Sequence, residues 1–246
     1  TQMIPQEYFD EKSNGPSKNI LAYIEGSEFP NEVIVISAHY DHLGIKGSEV
    51  YNGADDNASG SSAILELAES FQLAKKQGHG PKRSILFLHF TGEELGLYGS
   101  KFYVEHPAFS LDSTVVDLNI DMVGRVDDKH SEEREYIYLI GSDRLSQDLH
   151  KLSKETNKKY TNLTLDYTYN DKKDPNNYYQ RSDHYNFAYH NIPVIFYFNG
   201  SHSDYHRITD TADKIDYDLL ALRTKLIFYT AWEIANRDER LILDKN

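Results

Sequence analysis

The sequence predicts an α/β fold, a three-layer α/β/α sandwich around a mixed, mainly parallel central sheet. Two observations lead to this prediction. Short apolar runs typical of strands alternate with amphipathic helical stretches along the whole chain. Most of those runs are continuously apolar instead of alternating, which indicates central strands that are covered on both faces.

Six apolar runs, rich in β-branched and aromatic residues, predict the strands of this sheet. They span residues 19–24, 33–38, 84–90, 114–120, 136–140 and 194–198. The run at 33–38 reads Val-Ile-Val-Ile-Ser-Ala and is expected to be fully buried. The polar stretches 126–135 and 169–180 are expected to be loops, and the second is expected to flank a functional site.

Two amphipathic stretches predict long helices, because their apolar residues recur at the spacing of one helix face. In the stretch 58–76 this face consists of Ile64, Leu67, Ala68 and Phe71. In the stretch 217–236 it consists of Leu219, Leu222, Leu226 and Tyr229. In sheets whose strands alternate with helices, ligands generally bind beyond the carboxyl ends of the strands.

The composition excludes several classes of function. The chain has 246 residues, enough to bury a sizeable core, and a formal net charge of −13. This charge offers no basic face for phosphates, so we expect no nucleic-acid partner. No apolar run is long enough for a membrane span. The sequence has no cysteine, which excludes disulfides, thiolate metal sites and cysteine nucleophiles. We expect a monomer.

Five candidate metal ligands lie at the ends of predicted strands or in the loops that follow them. They are His39, Asp55, Glu94, Asp121 and His206. Imidazole and carboxylate donors of this kind bind zinc. A sixth residue, Glu93, is a spare carboxylate beside Glu94, and two ligand sets with one spare carboxylate are typical of a two-metal hydrolase.

The first of the five segments reads Ala-His-Tyr-Asp-His-Leu-Gly and follows the buried strand at 33–38. His39 can point its imidazole into the crevice beyond the sheet. Asp41, two residues later, can accept the other ring N–H and fix the tautomer. A surface loop with two histidines is the alternative, and we interpret His42 as a surface or packing residue.

The second segment, Gly-Ala-Asp-Asp-Asn-Ala-Ser-Gly, leads into the first predicted helix. Capping of that helix and compensation of its dipole are sufficient to explain Asp56 and Asn57. For Asp55 we predict a bridging carboxylate, because one carboxylate can hold two metal ions close together.

The third and fourth segments place carboxylates where burial makes them costly. Glu93 and Glu94 follow the strand at 84–90, and burial of the pair requires compensation of its charge. One glutamate on a metal ion and the other near a metal-bound water would supply it; a solvated acidic loop is the alternative. Asp121 closes the strand at 114–120, where aspartate is unfavourable. Either a metal ion or the capping of a turn explains it.

The fifth segment contains His206, which offers an imidazole, and Tyr205, whose phenol can stabilise an oxyanion. Upstream lies Arg-Ser-Asp-His, which contains Arg181 and His184. We interpret His184 as a structural hydrogen-bonding residue. The sequence contains no Gly-x-Ser-x-Gly elbow, phosphate loop or dinucleotide fingerprint, so water is the expected nucleophile.

In these five segments, taken in order, the chain resembles the di-zinc aminopeptidases of clan MH, a group that includes secreted bacterial enzymes. The resemblance extends from about residue 19 to the C-terminal helix. It implies a zinc-exopeptidase fold, also described as phosphorylase/hydrolase-like. It implies one catalytic domain over residues 1–246, with residues 1–18 as an N-terminal extension packed on it. It also implies two Zn²⁺ ions, a peptide substrate, and a secreted or periplasmic location.

The resemblance also implies a role for each residue. His39 and Asp121 hold one zinc ion, Glu94 and His206 hold the other, and Asp55 is shared. Glu93 is the general base for a metal-bridging water, Asp41 orients His39, Tyr205 stabilises the oxyanion and Arg181 contacts the substrate. A cis peptide bond is expected between Asp55 and Asp56.

Three alternatives remain open on the same fold. A glutaminyl cyclase uses one zinc ion and lacks the first histidine ligand, which His39 supplies here. A carboxypeptidase requires a basic pocket, for which Arg181 is a candidate without a basic cluster around it. A non-catalytic peptide-binding homologue has lost its metal ligands, whereas all five are present here.

Overall fold

The computed structural model describes residues 1–9 and 16–244, and within them the chain forms ten strands and five α-helices. The strands are β1 (Gln2–Ile4), β2 (Ser17–Ile24), β3 (Phe29–His39), β4 (Gly44–Lys46), β5 (Glu49–Tyr51), β6 (Arg83–Phe90), β7 (Thr114–Ile120), β8 (Tyr136–Ile140), β9 (Thr164–Asp166) and β10 (Val194–Phe198). The helices are α1 (Gly60–Lys76), α2 (Tyr98–Glu105), α3 (Gln147–Tyr160), α4 (His184–Tyr189) and α5 (Tyr217–Asn236).

Eight of these strands form one mixed sheet in the order β1-β2-β6-β3-β7-β10-β8-β9. The four central strands β6, β3, β7 and β10 are parallel to their neighbours in that run. Strands β1, β2 and β8 pair antiparallel, and β8 pairs parallel with β9. Strands β4 and β5 form a separate hairpin after β3.

Helices cover both faces of the sheet because its strands are apolar on both faces. On β3, Ile34 and Ile36 pack with α1, α3 and α5, whereas Val33 and Val35 pack with α2 and α4. The same division holds along β6. The predicted three-layer α/β/α sandwich with a mainly parallel sheet is therefore confirmed.

The predicted strands at 114–120, 136–140 and 194–198 and the helix at 217–236 are found with the same bounds. The other predicted elements exist with shifted ends, and β1, β4, β5, β9, α2 and α3 are additional. Residues 2–4 of the predicted extension form the edge strand β1 of the main sheet. The part of that extension at 10–15 lies outside the described residues. No helix in the described part of the chain is long and apolar enough to cross a membrane.

A buried arginine of α5 fixes the loop after β7. Arg223 is fully buried and donates hydrogen bonds to the backbone carbonyl oxygens of Val123 (2.9 Å), Arg125 (2.6 Å) and Tyr136 (2.9 Å). Because buried carbonyl groups require partners, this one guanidinium ties the loop that carries Asp121 to strand β8.

Candidate metal centre

Four of the five predicted donors meet at the carboxyl ends of the four central strands. His39 is the last residue of β3, and Asp121 directly follows β7. Glu93 and Glu94 follow β6, and His206 lies in the long connection after β10. Since β6, β3, β7 and β10 are neighbours and parallel, their ends open onto one crevice.

One group of donors, which we call the first metal position, consists of His39, Asp56 and Asp121. His39 Nε2 lies 3.3 Å from Asp56 Oδ1 and 3.3 Å from Asp121 Oδ1. All three side chains are buried, and their donor atoms lie within 4.8 Å of one another. The other ring nitrogen, His39 Nδ1, lies 3.1 Å from the carbonyl oxygen of Asp41. With its proton on Nδ1, the imidazole keeps the Nε2 lone pair free for a metal ion.

A second group, the second metal position, consists of Asp56, Glu94 and His206. His206 Nε2 lies 3.0 Å from Asp56 Oδ2 and 3.2 Å from Glu94 Oε2. A further imidazole, that of His42, reaches the same carboxylates, with Nδ1 2.7 Å from Glu94 Oε1. Asp56 therefore has one oxygen in each group and lies between the two positions.

The structure corrects the prediction for Asp55, because this carboxylate belongs to neither group. Asp55 Oδ1 accepts the backbone N–H of Gly124 at 2.7 Å, and Oδ2 lies 3.1 Å from Nε2 of His202. Asp56 takes the place that was predicted for Asp55. The cis peptide bond predicted between Asp55 and Asp56 lies between Asp56 and Asn57, so that prediction is wrong by one residue.

Asn57, within the turn, and Asp210, from a distant segment, hold the turn that presents Asp56. Asn57 Nδ2 donates to the carbonyl oxygen of Ile120 at 2.9 Å, and Asn57 Oδ1 accepts the N–H of Met122 at 3.1 Å. The carboxylate of Asp210 accepts the backbone N–H groups of both Asp55 and Asp56. These contacts fix the spacing between Asp56 and Asp121, because Asn57 binds the backbone on either side of Asp121.

Glu93 lies beside the first metal position. Its Oε2 is 4.0 Å from His39 Nε2, and its side chain is 11% exposed. Burial raises the pKa of Glu93 well above its ordinary value; His39 opposes this shift, and Asp121, Asp183 and Glu94 add to it. A carboxyl group with a raised pKa can both accept and release a proton near neutral pH.

The carboxylate of Asp41 forms hydrogen bonds with the backbone of Glu93 and Glu94 and not with His39. Its carboxylate accepts the backbone N–H groups of Glu93 at 3.2 Å and Glu94 at 3.3 Å. The distance from Asp41 Oδ1 to His39 Nδ1 is 3.8 Å, which is too long for a hydrogen bond. The predicted contact with His39 is therefore made by the carbonyl group of Asp41, and its carboxylate orders the loop of Glu93 and Glu94.

The charges in this crevice fit divalent cations. The carboxylates of Asp56, Glu93, Glu94 and Asp121 converge on three imidazoles. Burial raises the pKa of Asp121, with His39 opposing it. Hydrogen bonds with Asp56 and Glu94 raise the pKa of His206 to about 9. So many buried anionic oxygens require positive charge, and an imidazole–carboxylate donor set is one that zinc accepts.

A series of buried hydrogen bonds holds the carboxylate of Asp121 in place. Ser182 Oγ donates to Asp121 Oδ2 at 2.7 Å, and Asn119 Nδ2 donates to Ser182 Oγ at 2.9 Å. Ser37 Oγ lies 3.0 Å from Asn119 Oδ1 and 2.7 Å from Asp117 Oδ1. These bonds orient Asp121 toward His39, which is the usual function of groups that hydrogen-bond a metal ligand.

Tyr205 and Arg181 line the crevice together with aromatic side chains. The ring of Tyr205 stacks on the imidazole of His206, with centroids 3.9 Å apart. Arg181 is exposed and lies over the ring of Tyr178, 4.9 Å from its centroid. Phe198 and Met122 complete this wall. The crevice thus has an apolar side with one cation near its rim, next to the two metal positions.

Three residues lie at this site that the sequence pattern did not place there. They are His42, Asp56 and Ser182. His42 carried a signal, since it follows His39 by three residues in the same loop. Asp56 is the same residue type as Asp55 in the same segment, and only the conformation of the backbone turn decides which carboxylate faces the site. Ser182 carried no signal of its own, because serine beside an arginine is common on loops.

A family comparison matches most of the chain. The model described as Peptidase family M28 matches residues 19–231. A curated relative, a probable zinc metalloprotease of Pyrenophora teres f. teres, is 41% identical over 114 residues, which is 43% of this chain and 22% of the relative. A probable glutamate carboxypeptidase of Arabidopsis thaliana is 30% identical over 203 residues, which is 79% of this chain and 26% of that protein.

Solved structures show the same likeness. A zinc aminopeptidase from Bacillus subtilis superposes with a TM-score of 0.70 at 25% identity, covering 92% of this chain and 52% of that one. The chain therefore spans about a quarter of the length of these two curated relatives and about half of this structure.

Proposed function

This chain belongs to peptidase family M28, as its motifs predicted, and we propose that it is a zinc-dependent aminopeptidase, which hydrolyses the first peptide bond of a peptide. The observation that carries the proposal is the pair of donor groups that share Asp56, with the buried carboxyl group of Glu93 beside them. Its aminopeptidase specificity is supported by the likeness to the Bacillus subtilis enzyme.

In this proposal two zinc ions are held by the two donor groups. His39 and Asp121 hold one ion, Glu94 and His206 hold the other, and Asp56 is shared between them. When bound, zinc supplies a Lewis acid that polarises a peptide carbonyl and lowers the pKa of water. All other contributions to the reaction come from side chains of this chain.

Glu93 is proposed to carry the proton. Its carboxylate accepts a proton from the attacking water at Oε2 and passes it to the leaving amine, so that it acts first as base and then as acid. Burial beside the first metal position keeps bulk water from competing for this proton. Asp41 holds the backbone of Glu93 and so sets the direction of that carboxylate.

The aromatic wall is proposed to hold the substrate. Tyr205 offers a phenol hydrogen to the developing oxyanion, supported by the stacking of its ring on His206. Phe198 and Tyr178 offer apolar surface to a side chain of the peptide, and Arg181 contacts the substrate at the rim.

One observation favours a second candidate, a carboxypeptidase. The exposed guanidinium of Arg181 can pair with the terminal carboxylate of a peptide, and one relative is a probable glutamate carboxypeptidase. We favour the aminopeptidase because Arg181 is the only arginine or lysine among the residues that line the described crevice.

A panel of blocked peptides separates these functions. We expect the protein to cleave a leucine p-nitroanilide and an amidated peptide, to reject the same peptide after N-acetylation, and to lose both activities in 1,10-phenanthroline until zinc is restored. Cleavage that tolerates N-acetylation but requires a free carboxyl terminus would assign a carboxypeptidase. Release of ammonia from peptides that begin with glutamine would assign a cyclase, and no reaction with any of them would contradict an enzymatic function.

We also propose that the protein acts as a monomer outside the cytoplasm. The proposal is supported by its resemblance to secreted bacterial aminopeptidases and by a net charge of −13, which disfavours self-association through like-charge repulsion. Fractionation of the producing cells and sedimentation equilibrium test the two parts. Recovery only from the cytoplasm would contradict the first part, and a stable dimer the second.

A further inference from the structure

His42 lies at the second metal position, although the residue pattern of the resemblance gives it no role. Its side chain is 8% exposed, and its Nδ1 lies 2.7 Å from Glu94 Oε1 and 3.8 Å from Asp56 Oδ2. In the described part of the chain, His42, Asp56 and Glu94 form one of two sets of donor atoms that all lie within 4.8 Å of one another.

Close packing against a glycine holds the ring of His42 there. Gly53 has φ of +61°, and a Cβ at this position would lie 2.5 Å from Cγ of His42 and 2.3 Å from the carbonyl oxygen of Asp56. Only glycine permits the two groups to close over it in this way. The rings of His42 and His206 are 5.7 Å apart, so both imidazoles face the same pair of carboxylates.

We propose that His42 binds the zinc ion of the second metal position through Nδ1, together with Asp56, Glu94 and His206. The inference deepens the proposed function and rests on it, because it concerns the same zinc ions. Zinc sites with four protein donors are closed, whereas those with three keep a place for water or substrate. The second position then holds its ion more tightly and fills first, and the first position, with His39, Asp56 and Asp121, stays open.

The competing explanation is that His42 only donates a hydrogen bond to Glu94. In that case two zinc ions share two imidazoles, those of His39 and His206, and His42 is a positioning residue. Zinc affinity alone does not separate the explanations, because a residue that positions a ligand also changes affinity, by about 10- to 100-fold. The number of imidazoles on the zinc does separate them.

X-ray absorption at the zinc edge gives that number without an activity measurement. The apo protein is loaded with one equivalent of zinc and then with two, as wild type, as His42→Gln and as His79→Gln, a control on an exposed histidine. We expect two imidazoles on the zinc at one equivalent in the wild type and in His79→Gln. We expect one in His42→Gln, because that variant has lost one of the two imidazoles of the second metal position.

The outcomes separate the inference from the function on which it rests. One imidazole per zinc in the wild type at both loadings would overturn the inference and leave the proposed function intact. Failure of the wild type to bind zinc at all would overturn both. Because the wild-type spectrum decides the matter by itself, an unstable His42→Gln protein does not prevent the test.

Discussion

Two adjacent aspartates in one turn have different surroundings, and this difference decides which of them faces the crevice. Asp55 is held by Gly124 and His202, whereas Asp56 lies between His39 and His206. The sequence predicts that a carboxylate of this turn lies at the site, because donors cluster at strand ends. It does not predict which one, since that depends on the turn of the backbone. The turn is set by the hydrogen bond of Asn57 to Ile120 and by that of Asp55 to Asp210, which join segments far apart in the chain.

Substitution of each aspartate tests this assignment. We expect Asp56→Asn to lower zinc binding at both positions, because Asp56 has one oxygen in each. Asp55→Asn is the matched control and should keep both ions while losing about 1–3 kcal/mol of stability through its buried contacts with His202 and Gly124. Elemental analysis after dialysis measures the zinc, and equal zinc content in the two variants would contradict the shared role of Asp56.

Substitution of Glu93 tests the path of the proton. Glu93→Gln preserves shape and hydrogen-bonding atoms but cannot accept the proton. We therefore expect kcat to fall by about 100- to 10,000-fold with zinc content unchanged. Glu66→Gln, on the exposed surface of α1, is the control and should behave like the wild type. A Glu93→Gln enzyme with near-normal kcat would remove Glu93 as the proton carrier.

Among the secondary-structure elements, the sequence predicts the central strands better than it predicts helices α2 and α3. Strands β7, β8 and β10 are continuous apolar runs, so their ends coincide with the ends of the runs. Helix α3 has few apolar residues, with Leu149 its only fully apolar buried side chain, so periodicity gives little signal. Helix α2 has eight residues and contains a glycine in its first turn, which lowers its intrinsic preference for helix.

Helix α4 contains a buried histidine, which makes stability depend on pH. His184 stacks on Phe196 with centroids 4.8 Å apart, and burial lowers its pKa to about 3. The unfolded chain binds a proton below about pH 6.5, and the folded protein does not bind it until about pH 3. Its contribution to stability is therefore complete above about pH 6.5 and is lost as the pH falls toward 3.

Replacement of this histidine should reduce the loss of stability in acid. We expect the free energy of unfolding of the wild type to fall, between pH 7.5 and pH 5, by about 2 kcal/mol more than that of His184→Phe, which keeps an aromatic ring on Phe196. Urea denaturation at the two pH values measures the difference, with His79→Gln as an exposed control. Parallel losses in wild type and His184→Phe would show that His184 does not titrate in this way.

At the scale of the whole molecule, the order of the strands assembles the site. Donors that are far apart in the chain follow β3, β6, β7 and β10, and these strands are neighbours in the sheet. The sequence therefore predicts both the α/β/α sandwich and the crevice at its edge, because parallel strands end on one side. The contacts of His42 with Glu94 and of Ser182 with Asp121 depend on loop conformations, which strand patterns do not specify.

The convergence of buried carboxylates also predicts a strong effect of zinc on thermal stability. Zinc that binds only the folded protein at about 1,000 times its Kd adds about 4 kcal/mol, which corresponds to a rise in Tm on the order of 10 °C for a domain of this size. Differential scanning calorimetry with zinc and with chelator measures the shift. The Asp56→Asn protein is the control, and an equal shift in both proteins would place the stabilising ion elsewhere.

The proposed aminopeptidase activity depends on two zinc ions held around Asp56. The most direct measurement titrates zinc into the chelated protein while the hydrolysis of leucine p-nitroanilide and the bound zinc are recorded in the same sample. We expect no activity without zinc and a rate that rises until two ions are bound per chain. A rate that is independent of zinc, or a protein that binds zinc at these positions and hydrolyses nothing, would contradict the proposal.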